Sequence, residues 1–387
     1  MGLVPKFEGA PRRGRSLAGS IPMANPSAAR ERVSDQGRPA LQWIVLGLAL
    51  GPAAALGFGR FAYALLLPSM RADLGWTYAE AGALNAANAL GYLGGAMIAA
   101  TVARKLRIKR AFILGLGATA AAVLLSAVVR GFPELLALRI VAGATGAIVF
   151  VAGGGLAAMA GLVDARRAAL LLAIYFAGLG IGILMSGPVV WIGTGAAPAD
   201  WQRGWLALGI ATLLATLAAV PALARAPSCD SQRRTDLRVG WRPLAPLFIS
   251  YALFGSGYIA ILTFIVAFLR SGGSTEAQIT VFWTILGAAA VAATLVWGPV
   301  LALLPAGRGI FVVLLVLVVR ATLPLVFSST ATALLSAAPF GRSFLAVVTA
   351  ITHVARQATS LASWTHVIGA LTVAFALGQC LGPILAG

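Results

Sequence analysis

The stretch LGFGRFAYALLLPSM, Leu56 to Met70, sets one arginine inside an apolar run spaced by glycines. Arg60 is followed by Tyr63 within a turn and by Pro68 at the expected exit of the run. What such an arginine can do depends on its surroundings, and composition identifies them. Of the 387 residues 60% are apolar and only 10% charged, with a mean hydropathy of +0.92. Soluble domains carry roughly a quarter charged residues, so this chain cannot clothe itself for water. Its 45 glycines and 19 prolines are better tolerated in membrane helices than in soluble ones. The fold class is therefore an all-α membrane protein in a lipid bilayer. In that setting a mid-depth charge costs about 2.5–3.5 kcal/mol on insertion scales and needs a partner or a cavity.

Apolar windows of about 20 residues place eleven spans near 41–67, 78–103, 111–129, 134–158, 168–193, 203–224, 244–269, 277–303, 309–328, 330–352 and 360–386. With a cytoplasmic N-terminus, the tail and the even-numbered loops hold 21 of the 29 basic residues. The opposite side holds four, Arg71, Arg130, Arg203 and Arg270, and four more, Arg60, Arg139, Arg320 and Arg342, lie within spans. This is the positive-inside asymmetry. The net charge of +18 thus reflects topology and not a nucleic-acid surface. Residues 1–40 read as a disordered basic cytoplasmic tail, without the apolar h-region of a signal peptide; Met1 and Met23 both serve as candidate starts. Cys229 and Cys380 imply no disulfide framework.

An internal repeat is legible. Glu80 and Gly91 recur as Glu276 and Gly287 at an offset of 196, and Gly57 and Gly59 recur as Gly255 and Gly257 at 198. Gly187-Pro188 recurs as Gly382-Pro383 at 195. The expected layout is an N-terminal six-helix bundle over 41–225, a cytoplasmic linker over 226–243 and a C-terminal bundle of five helices over 244–387. The partner of span 6 would begin near 399, beyond Gly387, so span 12 is expected to be missing through truncation. Two parallel repeats around a central cavity are a transporter layout.

The segments GFGRFAYALLLPSM, AEAGALNAANALGYLGGA and GQCLGPILAG resemble the YbfB/YjiJ-type branch of the major facilitator superfamily (MFS), from about residue 42 to the end. The resemblance implies two pseudo-symmetric bundles, an inner-membrane secondary transporter of bacterial type, and alternating access with or without proton coupling. It implies a monomer acting on a small solute, with no cofactor and no nucleic acid. Ala103 to Arg110, ARKLRIKR, keeps only the basic part of the superfamily's loop motif. Arg139 with Gly143 resembles the motif that sets an arginine near the coupling site. Gly178, Gly180 and Gly182 followed by Gly187-Pro188 resemble an antiporter motif. Arg342 stands where relatives are expected to carry a small residue.

The candidate solute-binding residues are Arg60, Tyr63, Asn88, Tyr92, Arg139, Tyr175, Tyr258, Trp283, Arg342 and Gln379. Asn88 and Tyr92 share a helix face, being four residues apart. Arg342 follows Pro339 and Gly341, the kind of broken helix that binds solutes. Arg60 and Arg139 each have a purely structural alternative, holding helices together through backbone carbonyls. Gly178, Gly182, Gly187, Pro188, Gly382 and Pro383 are read as packing and gating positions. All eleven acidic residues fall in the tail, in loops or at span ends, which leaves His366, inside span 11, and Glu80 as candidate coupling residues. Three arginines against no mid-membrane acid favour an anionic or neutral polar solute. No metal-ligand cluster and no nucleophile with its base stand at mid-depth, so an enzyme is disfavoured. A non-transporting MFS-like remnant or membrane scaffold is the alternative reading.

Overall fold

A computed structural model describes residues 38–163, 167–195, 200–227, 244–303, 306–326, 337–343, 346–348, 350–351, 354–355 and 364–386. Among them every regular element is helical, as a bilayer requires of a chain that must satisfy its own backbone. The helices belong to a unit running from Ala40 to Gly387.

The first helix, α1, changes register twice. It is α-helical over Arg38–Pro52, π-helical over Ala53–Phe61 and α-helical again over Tyr63–Leu74. Pro52 has no N–H to give and its ring crowds the preceding turn, while the small Ala53–Ala55, Gly57 and Gly59 let the coil widen. The wider register is marked by Ala62 N–H donating to the Gly57 carbonyl, five residues back, at 3.0 Å. All nine residues of the π segment are buried. Pro68 does not end the helix, contrary to its expected place at the exit of the run; α1 runs on to a left-handed Gly75, φ 70°. Arg60 is thus 14 residues from the helix end, about 21 Å at 1.5 Å per residue, and its side chain is buried.

The other helices are α2 (Tyr78–Leu106), α3 (Ile108–Leu125), α4 (Phe132–Val163), α5 (Ala168–Thr194), α6 (Trp201–Arg225), α7 (Ala245–Ser271), α8 (Glu276–Leu303), α9 (Ala306–Val326) and α10 (Trp364–Ala386). Among the described residues, eight helices are long and apolar enough to cross a bilayer, and Arg308–Val319, Ala337–Val348 and Ala370–Ala386 are shorter apolar stretches. Of the expected tenth span, 330–336, 344–345, 349 and 352 lie outside the described residues. Large apolar side chains such as Ile192, Leu214 and Leu217 are exposed, a surface that would aggregate in water and that suits lipid.

Small residues bring the helices together. A Cβ on Gly91 would strike the Ile140 carbonyl, and one on Gly143 the Asn88 carbonyl, so α2 and α4 meet backbone to backbone. Gly57 faces Gly182, and Gly178 faces the Ala49 carbonyl, where α1 crosses α5. Gly378 and Gly382 meet the Ala252 and Ser256 carbonyls where α10 crosses α7, and Gly82 meets Pro383 between α2 and α10. Gly187 is different: a Cβ added there would meet the Trp283 ring at 3.6 Å, an ordinary contact. Gly341 is pressed on the Leu286 carbonyl as Gly143 is on that of Asn88, with 198 residues separating both the two glycines and the two acceptors.

The two ends of the unit differ in charge. Asp73, Glu80, Glu134, Asp200 and Glu276, the acids among the described residues, all sit at one end. There Arg130 pairs with Asp73, Arg203 with Asp200 and Arg270 with Glu276, at 2.7–2.9 Å. The other end carries Arg104, Lys105, Arg107, Lys109, Arg110, Arg225 and Arg308.

Gly143→Ala should cost about 1–3 kcal/mol, because an added methyl must force the backbones of α2 and α4 apart. Gly94→Ala, which meets nothing within 4 Å, should leave the thermal midpoint of the detergent-solubilised protein unchanged or slightly raised. Equal midpoints for the two variants would contradict this packing.

Candidate functional site

The buried polar side chains gather around the π segment of α1. Arg60, 4% exposed, donates through Nη2 to Gln379 Oε1 on α10 at 2.7 Å. Gln379 donates in turn through Nε2 to the Tyr258 hydroxyl on α7. One polar chain therefore joins three helices that are remote in sequence. The guanidinium lies over the Tyr92 ring at 5.1 Å and near that of Phe61 at 5.7 Å, faces that attract a cation. Beyond Tyr258 the rings of Phe254, Tyr251 and Phe375 stack nearly parallel, with centroids 4.5–6.1 Å apart. Arg60 Nε has no hydrogen-bond partner.

Arg139 is used differently. Its Nη1 donates to the Gly59 carbonyl at 2.6 Å and its Nη2 to the Arg60 carbonyl at 3.4 Å. A change of helical register leaves carbonyls short of their N–H partners, and Arg139 supplies donors at that place. Its guanidinium is flanked by Tyr63 at 5.1 Å and Trp205 at 5.4 Å. Asn88 Nδ2 donates to the Arg139 carbonyl at 3.0 Å, and the Tyr63 hydroxyl donates to the Ala81 carbonyl at 2.8 Å. These three side chains brace α1, α2 and α4 around Arg60.

Of the sequence-derived candidates, Arg60, Tyr92, Tyr258 and Gln379 come together, with Tyr63, Asn88 and Arg139 beside them as supports. Tyr175 does not join them; its hydroxyl donates to the Phe150 carbonyl at 2.9 Å and ties α5 to α4. Trp283 Nε1 donates to Ser186 Oγ at 2.8 Å on the α5–α8 seam. Hydropathy sets Arg342 deep in its span, yet its side chain is exposed and outside the buried cluster. Glu80 is also exposed: it accepts from Thr77 N–H and Oγ1 at 2.8 and 2.9 Å, while its own N–H donates to Thr77 Oγ1. That arrangement is a capping box, so Glu80 starts α2 and stands away from the buried polar chain. The side chain of His366 lies outside the described residues. Pro188 and Pro383 lie inside α5 and α10.

Several residues at the site carry no mark in the sequence read alone. Asn85 Nδ2 donates to Thr263 Oγ1, joining α2 to α7; Asn85 sits one turn before Asn88 and two before Tyr92, a spacing that would have placed it on the same face. Arg270 Nη1 donates to Ser69 Oγ at 3.0 Å while Nη2 holds Glu276. This cluster borders a cavity of about 250 Å³ lined also by Leu66, Val190, Trp191 and Thr194. The contacts among Ser69, Arg270, Asn85, Thr263, Gly82 and Pro383 join α1 and α2 to α7 and α10 at the acidic end of the unit.

The sequence model of a family described as an uncharacterised MFS-type transporter YbfB matches residues 52–387. No curated protein matches the chain. Solved structures do. A mutant of the nucleoside transporter NupG superimposes with a TM-score of 0.69 at 14% identity, over 89% of this chain and 90% of that one. A D-xylose–proton symporter gives 0.69 at 12% identity, over 89% and 88%. A bacterial homologue of the human lysosomal transporter Spinster, inward-facing and unoccupied, gives 0.67 at 17%, over 89% and 81%. At such identities the likeness is one of fold.

Replacing Arg139 by Met removes one donor from each of two buried carbonyls and should lower stability by about 1–3 kcal/mol. Arg60→Met removes a buried charge that has no carboxylate beside it, which offsets the donor lost to Gln379 Oε1, and its loss of stability should be smaller. Thermal unfolding of the two purified variants checks the contrast; a larger loss for Arg60→Met would overturn the division of labour.

Proposed function

Since the chain belongs to the YbfB-type family of MFS transporters, we propose that it is a secondary transporter moving a small solute by alternating access, with the solute seated at Arg60, Gln379, Tyr258 and Tyr92. The observation that carries this reading is the buried chain Arg60–Gln379–Tyr258. Polar side chains from three distant helices meet in the interior, where lipid can satisfy none of them. Family membership favours transport over the remnant or scaffold alternative.

In this proposal the chain crosses a bacterial inner membrane eleven times as a monomer with its N-terminus in the cytoplasm. A bundle over 41–225 rocks against one over 244–387 across the linker 226–243. The matched approaches of Gly143 to Asn88 and of Gly341 to Leu286 support two repeats with the same internal crossing. The joined contacts at the acidic end support a form closed there, with Ser69–Arg270 and Asn85–Thr263 as the bonds that must break for the solute to leave on that side. Gly57, Gly178, Gly182 and Gly382 let backbones slide without side chains to climb over. Arg139, Asn88 and Tyr63 position the helix that carries Arg60.

Rocking is measurable before any solute is known. Spin labels at Ala72 and Gly272 report the acidic end, and labels at Lys105 and Arg308 the basic end. Their distance distributions should shift in opposite senses between populations, and a single fixed distance at both ends would overturn alternating access. In proteoliposomes Arg60→Ala should lose flux while inserting normally. Normal flux in that variant would remove Arg60 from the site.

A further inference from the structure

The charge balance around Arg60 says what kind of solute would fit. The guanidinium is 96% shielded, its Nε is unpartnered, and its hydrogen-bonded neighbour among the described residues is the neutral Gln379. The second buried guanidinium, Arg139, adds positive potential; both its terminal nitrogens donate to backbone carbonyls, while its Nε, like that of Arg60, has no partner. The acids among the described residues are all at one end, on short helix-terminal segments, and three of them are already paired with other arginines. Aromatic faces soften a buried cation, but they do not replace an anion. The walls beside the guanidinium are flat: Tyr92 and Phe61 on one side, and the stacked Tyr258, Phe254 and Phe375 beyond Gln379.

Resting on the transporter reading above, we infer that the solute is an organic monoanion with a flat apolar body, that it supplies the counter-charge Arg60 lacks, and that the protein exchanges one such anion for another. The acidic group accepts from the free edge of Arg60, and the apolar body lies against the rings. Loaded, the site is neutral at its centre and can pass through the closed intermediate of the rocking cycle. Empty, it must carry an uncompensated guanidinium through that same dry intermediate, so return without an anion is slow. One anion enters as one leaves, no net charge moves, and no proton need be carried by a side chain. A permanently charged solute would be exchanged as well as a weak acid.

Benzenesulfonate and mandelate, with their neutral amides as controls, test this in proteoliposomes. Labelled anion should enter at least tenfold faster when the same anion is trapped inside than when the vesicles are empty. An imposed membrane potential should leave that exchange rate unchanged, and neither amide should move above the protein-free background. Arg60→Gln should abolish the trans-acceleration while keeping its thermal midpoint. Equal rates into loaded and empty vesicles, or amides carried as fast as anions, would overturn the inference. So would the failure of both anions to move or to shift the thermal midpoint in a protein whose spin-labelled ends alternate, and in that case the transporter reading survives. Rigid ends at both faces would bring down the transporter reading itself.

Discussion

A guanidinium giving two hydrogen bonds to the backbone of a neighbouring helix is the constraint on which this interior depends. Arg139 meets the Gly59 and Arg60 carbonyls where α1 leaves π register. A π turn holds an additional residue per turn, so side chains beyond it are rotated relative to an uninterrupted α-helix. That rotation decides which face of α1 presents Arg60 to α10 and Tyr63 to α2. Arg139 is itself fixed, because Asn88 holds its carbonyl and Gly143 lets α4 lie directly against α2. The support runs through backbone contacts that tolerate little displacement.

Seen from the solute's side, the two buried arginines have divided a single problem. One gives both terminal nitrogens to carbonyls and contributes position and field, although its Nε is left without a partner. The other retains an unused edge, held in place by a neutral amide and by ring faces. Retaining an unsatisfied buried donor costs stability, and such costs collect at functional sites. The glycine crossings, by contrast, serve assembly and motion: α1 with α5, α7 with α10, and α2 with α4 all touch through backbone.

Much of this was written in the sequence. Hydropathy located most of the long helices to within a few residues, since twenty apolar residues in a row leave little choice; α1 and α4 run seven and five residues past their expected ends. Arg60, Tyr92, Tyr258 and Gln379 could each be named because a polar group in a greasy segment needs a reason. That Gln379 bonds Arg60 across 319 positions was not legible, because no local pattern encodes a partner so distant. Nor was the π segment, which arises from the competition of Pro52, small residues and a donor on another helix. Glu80 is the opposite case: Thr77 and Glu80 carry the capping-box spacing openly, and the lack of other carboxylates drew attention to it as a proton carrier instead. Arg342 was placed by hydropathy inside a span, but hydropathy cannot say which way a helix face turns. Trp205 is not legible as a site residue, because an aromatic in an apolar helix has no distinguishing mark apart from its cation.

The unequal charge of the two ends bears on how a negatively charged visitor would arrive. At one mouth, arginines and carboxylates largely cancel in pairs. At the other, Arg104, Lys105, Arg107, Lys109 and Arg110 stand together without matching acids among the described residues. Such a collar raises the local concentration of anions and hastens their capture, an effect that fades as ionic strength grows. Were the cargo the anion proposed above, it would be gathered more readily from the basic face with the final distribution across the membrane untouched, since a fixed field alters rates of encounter and cannot shift an equilibrium.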